Sequence, residues 1–221
     1  MKILKKIIII LFILLVSVVL IALVNLSYET NSILDDYNTV FSNKKYDQAI
    51  LIDNVSAIEQ NVTCGYAVIE MFAKWNNDTN ITEETLYKQY DGVVTSTGKS
   101  FEEEMNNQFP QYNTTMYPYL KNTQLIDKVY TSLSKGIPVP FEWAAKYEEE
   151  WTLHYSLIIG MDIKNDTITI ANPYGYIEKI SLKEFLNRTS FESYEDMPIY
   201  LRLGFAFGIF EKNTIFIVEP K

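Results

Sequence analysis

The chain of 221 residues has one cysteine, Cys64, and one histidine, His154. A single cysteine cannot form a disulfide within its own chain, so this thiol is either buried and inert or free for chemistry. One cysteine and one histidine at distant positions fall short of the ligand set of a zinc site. We therefore expect no metal and no other cofactor. The remaining possibility is that the Cys64 thiol acts as a nucleophile and the His154 imidazole as its base.

The chain has fewer basic residues than acidic ones, 19 against 28. Three of the basic residues and none of the acidic ones lie in the first 26 positions, so the rest carries a net charge of −12. An acidic exterior argues against nucleic-acid binding and against electrostatic attraction to anionic lipid. The sequence also lacks internal repeats and low-complexity segments. About 195 residues remain after the N-terminus, enough for one domain with a sizeable core, and we expect a monomer.

The one long apolar run covers residues 7–24 and follows Lys2, Lys5 and Lys6. As a helix its 18 residues would be about 27 Å long, close to the hydrocarbon thickness of a bilayer. The lysines should stay in the cytoplasm and the remainder should be exported. The sequence predicts a single-pass membrane anchor over 1–26 with the domain outside the cytoplasm; a signal sequence is the alternative. Residues 27–50 are predicted to form a stalk or linker, and 51–221 the domain.

The strongest predicted helix begins at Cys64. Apolar residues recur from there at helical spacing, and Asn61 and Thr63 are candidate caps. A capping box at Ser100 predicts another helix that ends before Pro110, and further helices are predicted from Thr82, through 125–133 and from Ser181.

The second half of the domain changes to strand periodicity. Residues 137–143, with two prolines, are predicted to form a first or edge strand. Residues 154–163 and 167–171 flank a polar turn and predict a hairpin, and 203–210 with 215–218 predict another. Helices followed by antiparallel strands are typical of an α+β domain.

Four residues could form a thiol-hydrolase site. Cys64 at a helix start would feel the positive end of the helix dipole, which favours the thiolate. His154 begins one strand of the predicted hairpin and Asn172 directly follows the other, so pairing brings them within a few residues of each other and the Asn172 amide could orient the imidazole. Gln60, in the entry loop, could donate to an oxyanion together with the Cys64 N–H. Each residue alone is more often structural; their order on suitable elements favours a site.

Short motifs in the same order resemble the bacteriocin-processing peptidase family and its papain-like relatives. The motifs are Cys64-Gly65-x-Ala67, His154-Tyr155 before Ile159-Gly160-Met161-Asp162, Asn172-Pro173, Ser181-x-x-Glu184-Phe185, and the turn Thr95–Gly98. The resemblance implies a papain-like fold with Cys64 as nucleophile, His154 as base, Asn172 as orienter and Gln60 as oxyanion donor. The family usually has an aspartate where Asn172 stands, and its glutamine commonly lies further upstream than Gln60. No transporter segment is evident, so cleavage after a double-glycine leader is not implied.

The predicted function is a membrane-anchored thiol peptidase that acts outside the cytoplasm on a peptide or protein substrate. Two alternatives stay open at this point. A cell-wall peptide amide hydrolase would use the same thiol and imidazole. A non-catalytic peptide-binding domain of the same fold would need neither, and an unreactive, buried Cys64 would favour it.

Overall fold

The computed structural model of the protein describes residues 2–90 and 97–221, with side chains from residue 3 onward except at 25–30. The predicted turn residues Thr95 and Ser96 lie outside these ranges. The helices are α1 Lys2–Ile33, α2 Cys64–Trp75, α3 Glu83–Gln89, α4 Gly98–Gln108, α5 Asn122–Ser134, α6 Leu182–Thr189 and α7 Ile199–Ala206. The strands are β1 Ile50–Leu51, β2 Tyr112–Tyr117, β3 Val139–Tyr147, β4 Glu150–Asp162, β5 Thr167–Asn172, β6 Tyr176–Ile180 and β7 Ile215–Pro220.

The seven strands form one antiparallel sheet in the order β2-β7-β3-β4-β5-β6, and β1 adds to β4. Helix α2 packs on β4. The predicted apolar stripe of α2 is buried at Ala67, Val68, Met71 and Phe72, and the rest of the helix between Gly65 and Ala73 is buried as well. The fold is therefore α+β, with N-terminal helices against an antiparallel sheet, and this prediction is confirmed. The packing of α2 on β4 sets the Cys64 helix against the strand of His154.

The segment after α1 packs on α5 through polar contacts. The Asp35 carboxylate accepts hydrogen bonds from the backbone N–H of Thr123 (3.1 Å) and from its hydroxyl (2.5 Å). The Tyr46 hydroxyl donates to Asp127 at 2.8 Å, and the Tyr130 hydroxyl donates to the carbonyl of Gln48 at 3.0 Å. Much of the stretch predicted as a stalk is thus held on the domain surface.

Two predictions need correction: the start of helix α4 and the place of strand β3 in the sheet. Helix α4 begins earlier than predicted: Thr97 is the cap, and Ser100 is its partner in the capping box. The strand predicted over 137–143 is not an edge strand, since β3 lies between β7 and β4. Proline is tolerated there because β3 pairs with β7 only at Phe141, so Pro140 needs no N–H on that side.

The predicted strand over 203–210 is wrong, because this stretch holds the second half of helix α7. Pro198 precedes the helix as its N-cap residue, and Gly208, at φ +67°, follows its end. Both residues favour these positions at helix ends. Helix α7 has apolar side chains on nearly all of its faces. Such a helix shows no 3.6-residue apolar period, and its sequence therefore resembles a buried strand. The partner predicted for it, β7, pairs instead with β2 and β3.

Candidate active site

The loop before Cys64 is held by a buried carboxylate that the sequence did not reveal. Glu83, the first residue of α3, accepts hydrogen bonds from the backbone N–H groups of Asn61 (2.7 Å), Val62 (2.7 Å) and Thr63 (2.5 Å). Its own N–H donates to the Glu70 carboxylate at 2.7 Å. The predicted caps Asn61 and Thr63 make no side-chain cap of α2; Thr63 is the N-cap residue by backbone conformation alone. Glu83 therefore fixes the backbone that leads into Cys64.

Replacing Glu83 with alanine should lower the free energy of unfolding by about 3 kcal/mol or more, since three hydrogen bonds to a buried charged group are lost together. Urea denaturation of the full chain in detergent measures the change. The neighbouring Glu84, whose exposed side chain pairs with Lys88, is the matched control, and its alanine variant should keep the wild-type midpoint. Equal midpoints for both variants would contradict the role given to Glu83.

The Cys64 thiol is partly buried at the first turn of α2. Burial raises its pKa to about 11, and the carboxyl of Glu142 acts in the same direction. Hydrogen bonds from the backbone N–H groups of Tyr155 and Gly65 and from the Thr63 hydroxyl oppose that rise. The prediction that the helix start would favour a thiolate is thus outweighed by burial, and the resting thiol is neutral. The Tyr155 contact also brings the thiol to β4 at the residue that follows His154.

The imidazole of His154 is buried and oriented by an amide. Its Nε2 lies 3.1 Å from Oδ1 of Asn172, and the ring of Tyr174 stacks on it with centroids 4.3 Å apart. Burial lowers the pKa of His154 to about 4; the Asn172 hydrogen bond raises it and the charge of Arg188 lowers it further. The imidazole is therefore neutral at physiological pH and can accept a proton.

The orientation of the Asn172 amide fixes the tautomer of His154. Nδ2 of Asn172 donates to the Glu178 carboxylate at 2.9 Å, which turns Oδ1 toward His154. Because Oδ1 can only accept, Nε2 of His154 carries the hydrogen and Nδ1 carries the free lone pair. Glu178 is held in turn by the guanidinium of Arg188 at 2.6 Å. The arrangement of base and orienter thus depends on a buried ion pair behind them.

Arg188 is fixed from three sides. Its Nε donates to the carbonyl of Ala144 at 2.9 Å, and its guanidinium lies 3.6 Å from the ring centroid of Trp143. Trp143 pairs across the strands with His154. Glu178 and Arg188 escaped the sequence analysis because isolated charges on a short strand and a short helix give no local sign of their partners.

A second buried carboxyl lies on β3 close to the thiol. Glu142 is fully buried, pairs across the strands with Tyr155, and has no hydrogen-bond partner for either carboxylate oxygen among the described residues. Burial raises its pKa to about 8, and the charge of Glu211 adds to the rise. At neutral pH Glu142 is therefore mostly a neutral acid, which limits its opposition to a thiolate at Cys64.

Gln60 is tied to the loop that follows Asn172. Its backbone N–H donates to the carbonyl of Pro173 at 2.7 Å, and Glu59 forms an isolated β-bridge with Tyr174. Gly175 is required at this junction: its φ is +86°, and a Cβ there would lie 3.1 Å from Cβ of Glu59. The entry loop of Cys64 and the Asn172 loop are therefore joined through their backbones, so the structure brings all four predicted residues to one region.

A cleft of about 670 Å³ opens beside this region. Gln60 and Tyr174 line its inner part, and the tip of the β3–β4 hairpin, residues 147–152, lines the rest. The Oε1 atom of Gln60 is buried without a hydrogen-bond partner among the described residues. The cleft is large enough for a short peptide segment. Because Oε1 of Gln60 makes no hydrogen bond to the described residues, that atom does not fix the Gln60 side chain in place.

Comparison with known proteins gives one family and one fold. The profile of the Peptidase C39 like family matches residues 52–200. A double glycine motif protease from an AMS/PCAT transporter, solved with its leader peptide, is similar at a TM-score of 0.50 and 15% identity, covering 77% of this chain and 94% of that one. The peptidase domain of Streptococcus ComA, a bifunctional ABC transporter of a quorum-sensing pathway, matches at 0.49 and 16%, covering 76% and 99%. Among curated proteins none matches this chain.

Proposed function

This chain belongs to the peptidase C39-like family, and on that premise we propose that it is a membrane-anchored thiol peptidase that hydrolyses a peptide bond outside the cytoplasm. Cys64 is the nucleophile, His154 the general base and Asn172 the orienter. The observation that carries the proposal is the hydrogen bond between Nε2 of His154 and Oδ1 of Asn172, beside a thiol that receives the N–H of Tyr155. This geometry leaves Nδ1 of His154 free to take a proton.

Hydrolysis would proceed in two steps. The thiol of Cys64 attacks the peptide carbonyl carbon as Nδ1 of His154 takes its proton, and that proton then goes to the leaving amine. Water, deprotonated by the same nitrogen, then attacks the thioester carbonyl; the acid is released, and the proton passes from His154 back to the sulfur of Cys64. Because the thiol and imidazole both rest in their neutral forms, the proton moves during attack and no ion pair is stored beforehand. The Cys64 N–H at the start of α2 and the side chain of Gln60 would bind the oxyanion.

Helix α1 supplies the proposed anchor. Its segment Ile3–Val24 is long and apolar enough to cross a bilayer, with a mean hydropathy of 3.7. Lys5 and Lys6 at its start favour a cytoplasmic N-terminus. The peptidase domain and its substrate, a peptide or protein, would then lie on the outer side, and residues 27–50 would join the anchor to the domain.

The single cysteine gives a direct test of this function. The full chain in detergent is incubated with a mixed peptide library, and new cleavage products are identified by mass spectrometry. Prior treatment with iodoacetamide alkylates thiols much faster than other side chains, and Cys64 is the one thiol of the chain, so one added carbamidomethyl group and a loss of all cleavage are expected together. Cleavage that survives full alkylation, or no cleavage of any peptide by the untreated protein, would contradict the proposal.

A further inference from the structure

The surface around α7 is apolar and exposed. Ile199 and Tyr200 in its first turn are each 68% exposed, and Phe207 and Ile209 just after its end are about half exposed. No large apolar side chain outside α1 is more exposed than Ile199 and Tyr200 in the described part of the chain. We name the side chains of Ile199, Tyr200, Phe207 and Ile209 the α7 patch. Large apolar side chains exposed together on and beside one short helix are typical of a contact with a partner or a membrane.

The α7 patch stands on a rigid base. The opposite side of α7 is buried, where Phe205 packs on Phe191 with ring centroids 4.7 Å apart. The segment after the helix is closed by backbone hydrogen bonds, among them from the N–H of Ile209 to the carbonyl of Gly204 at 2.8 Å. With the backbone satisfied and the inner side chains packed, the patch is a formed surface.

Helix α1, whose first part is the membrane span of this same chain, packs against α7. Nearly all of the span Ile3–Val24 is exposed; Ala22 is buried and Val19 is partly covered, and the two lie on one face three residues apart. At 1.5 Å per residue, these positions lie about 3 to 8 Å inside the outer end of the span. An interfacial helix buries its apolar face roughly 5–10 Å into the headgroup and acyl boundary. The part of the span that the fold covers therefore lies at the depth where such a helix sits.

The charges around α7 fit the same position. Between Met197 and Phe210 the only charged residue is Arg202. Its guanidinium donates to the backbone carbonyls of Met197 (3.0 Å) and Glu195 (3.3 Å), which satisfies two of its five N–H donors within the protein. The domain as a whole is acidic, which excludes a general electrostatic attraction to anionic lipid. Binding of this surface to a bilayer would therefore come from insertion of its apolar side chains into the lipid.

We propose that α7 is an in-plane membrane-binding helix, whose patch enters the outer leaflet beside α1 and fixes the peptidase domain on the bilayer. The proposal rests on the membrane anchoring proposed above. It also locates the cleft: Trp151, which lines the cleft, packs against the same apolar cluster as α7. The cleft is thereby tied to the membrane-facing side of the domain, and peptide segments close to the bilayer surface are the substrates within its reach.

The test uses the full chain in phosphatidylcholine vesicles. Cys64→Ser removes the native thiol, and single cysteines are then introduced by Tyr200→Cys, Ile209→Cys, Leu51→Cys or Leu14→Cys and labelled with the environment-sensitive dye NBD. Leu51 is the matched control because it is 54% exposed and pairs with Gly160, nine residues along β4 from Trp151, or roughly 30 Å. Leu14, in the middle of the span, reports on the anchor.

We expect doxyl-labelled lipid to quench the dye at positions 200 and 209 at least threefold more than at position 51, and aqueous iodide to show the reverse order. Adding anionic phosphatidylglycerol should leave the pattern unchanged. Quenching at position 14 together with equal behaviour at 51, 200 and 209 would overturn the α7 proposal alone. No lipid quenching at position 14 would overturn the anchor and, with it, this proposal.

Discussion

Replacing Cys64 with alanine should abolish peptide hydrolysis, with a fall in kcat/KM of at least about 10⁴-fold, the scale on which loss of a nucleophile acts in triad hydrolases. The expected loss is near complete because the chain has no second thiol that could take over. The measurement is the rate of cleavage of a peptide identified in the library experiment. Cys64→Ser should be almost as inactive, since a buried hydroxyl is much harder to deprotonate than a thiol.

The control for this prediction is the fold. The Glu83 carboxylate holds the backbone ahead of α2 whether or not the sulfur is present, so both variants should keep the wild-type circular dichroism spectrum and a cooperative unfolding transition. Hydrolysis retained by a folded Cys64→Ala protein would show that the nucleophile is another residue. An inactive wild type that binds peptides equally well with and without the sulfur would favour the non-catalytic binding domain.

The parts of the site that the sequence predicted are those marked by local pattern. The period that begins at Cys64 identified α2, and the polar turn between β4 and β5 brought His154 and Asn172 to adjacent strands. Both signals come from within a few residues of one element. The direct 3.1 Å contact between Nε2 and Oδ1 also needs a β-bulge at Ile159, which shifts the register so that Asn172 lies opposite Ser156, on the face of β4 that carries His154. Sequence reasoning therefore places the two residues on neighbouring strands, whereas the bulge that puts them on one face left no sign in the sequence.

The supporting residues were out of reach because their partners are far away in the sequence. Glu83 holds backbone 20 to 22 residues upstream, and Arg188 bonds to the carbonyl of Ala144, 44 residues away. Nothing in the local sequence separates these charges from solvated ones such as Glu84. Glu142 is harder still, because a fully buried carboxyl without a partner contradicts the average behaviour of glutamate.

The ion pair of Glu178 and Arg188 also accounts for a departure from the related peptidases. Where the bacteriocin-processing family usually has aspartate, Asn172 donates its Nδ2 to Glu178. An aspartate at this position would have no hydrogen to donate and would set two carboxylates against each other at hydrogen-bond distance. Asparagine is thus the residue that the Glu178–Arg188 pair selects, and it still offers an acceptor to His154.

Replacing His154 with glutamine should lower hydrolysis by about 10³-fold or more and should also remove an acid-dependent loss of stability. The first effect follows because no other imidazole exists to take the thiol proton. The second follows from burial, which lowers the pKa of His154 to about 4 in the folded state, against about 6.5 when unfolded. The unfolded chain then binds more protons between these values, so wild-type stability is fully present above pH 6.5 and falls as the pH drops toward 4.

The size of this loss is about 3 kcal/mol over the interval, from 1.36 kcal/mol per pKa unit. Urea midpoints at pH 7, 5.5 and 4.5 measure it, and the difference between wild type and His154→Gln cancels the titration of the carboxylates that both share. The Asn172→Ala variant adds a check of sign: the hydrogen bond that supports the imidazolium is gone, so the loss of stability should continue to lower pH than in the wild type. Parallel midpoint curves for wild type and His154→Gln would mean that the imidazole is solvated in the folded state. A solvated imidazole would also place the acid limit of hydrolysis near pH 6.5, whereas a buried one shifts that limit toward pH 4.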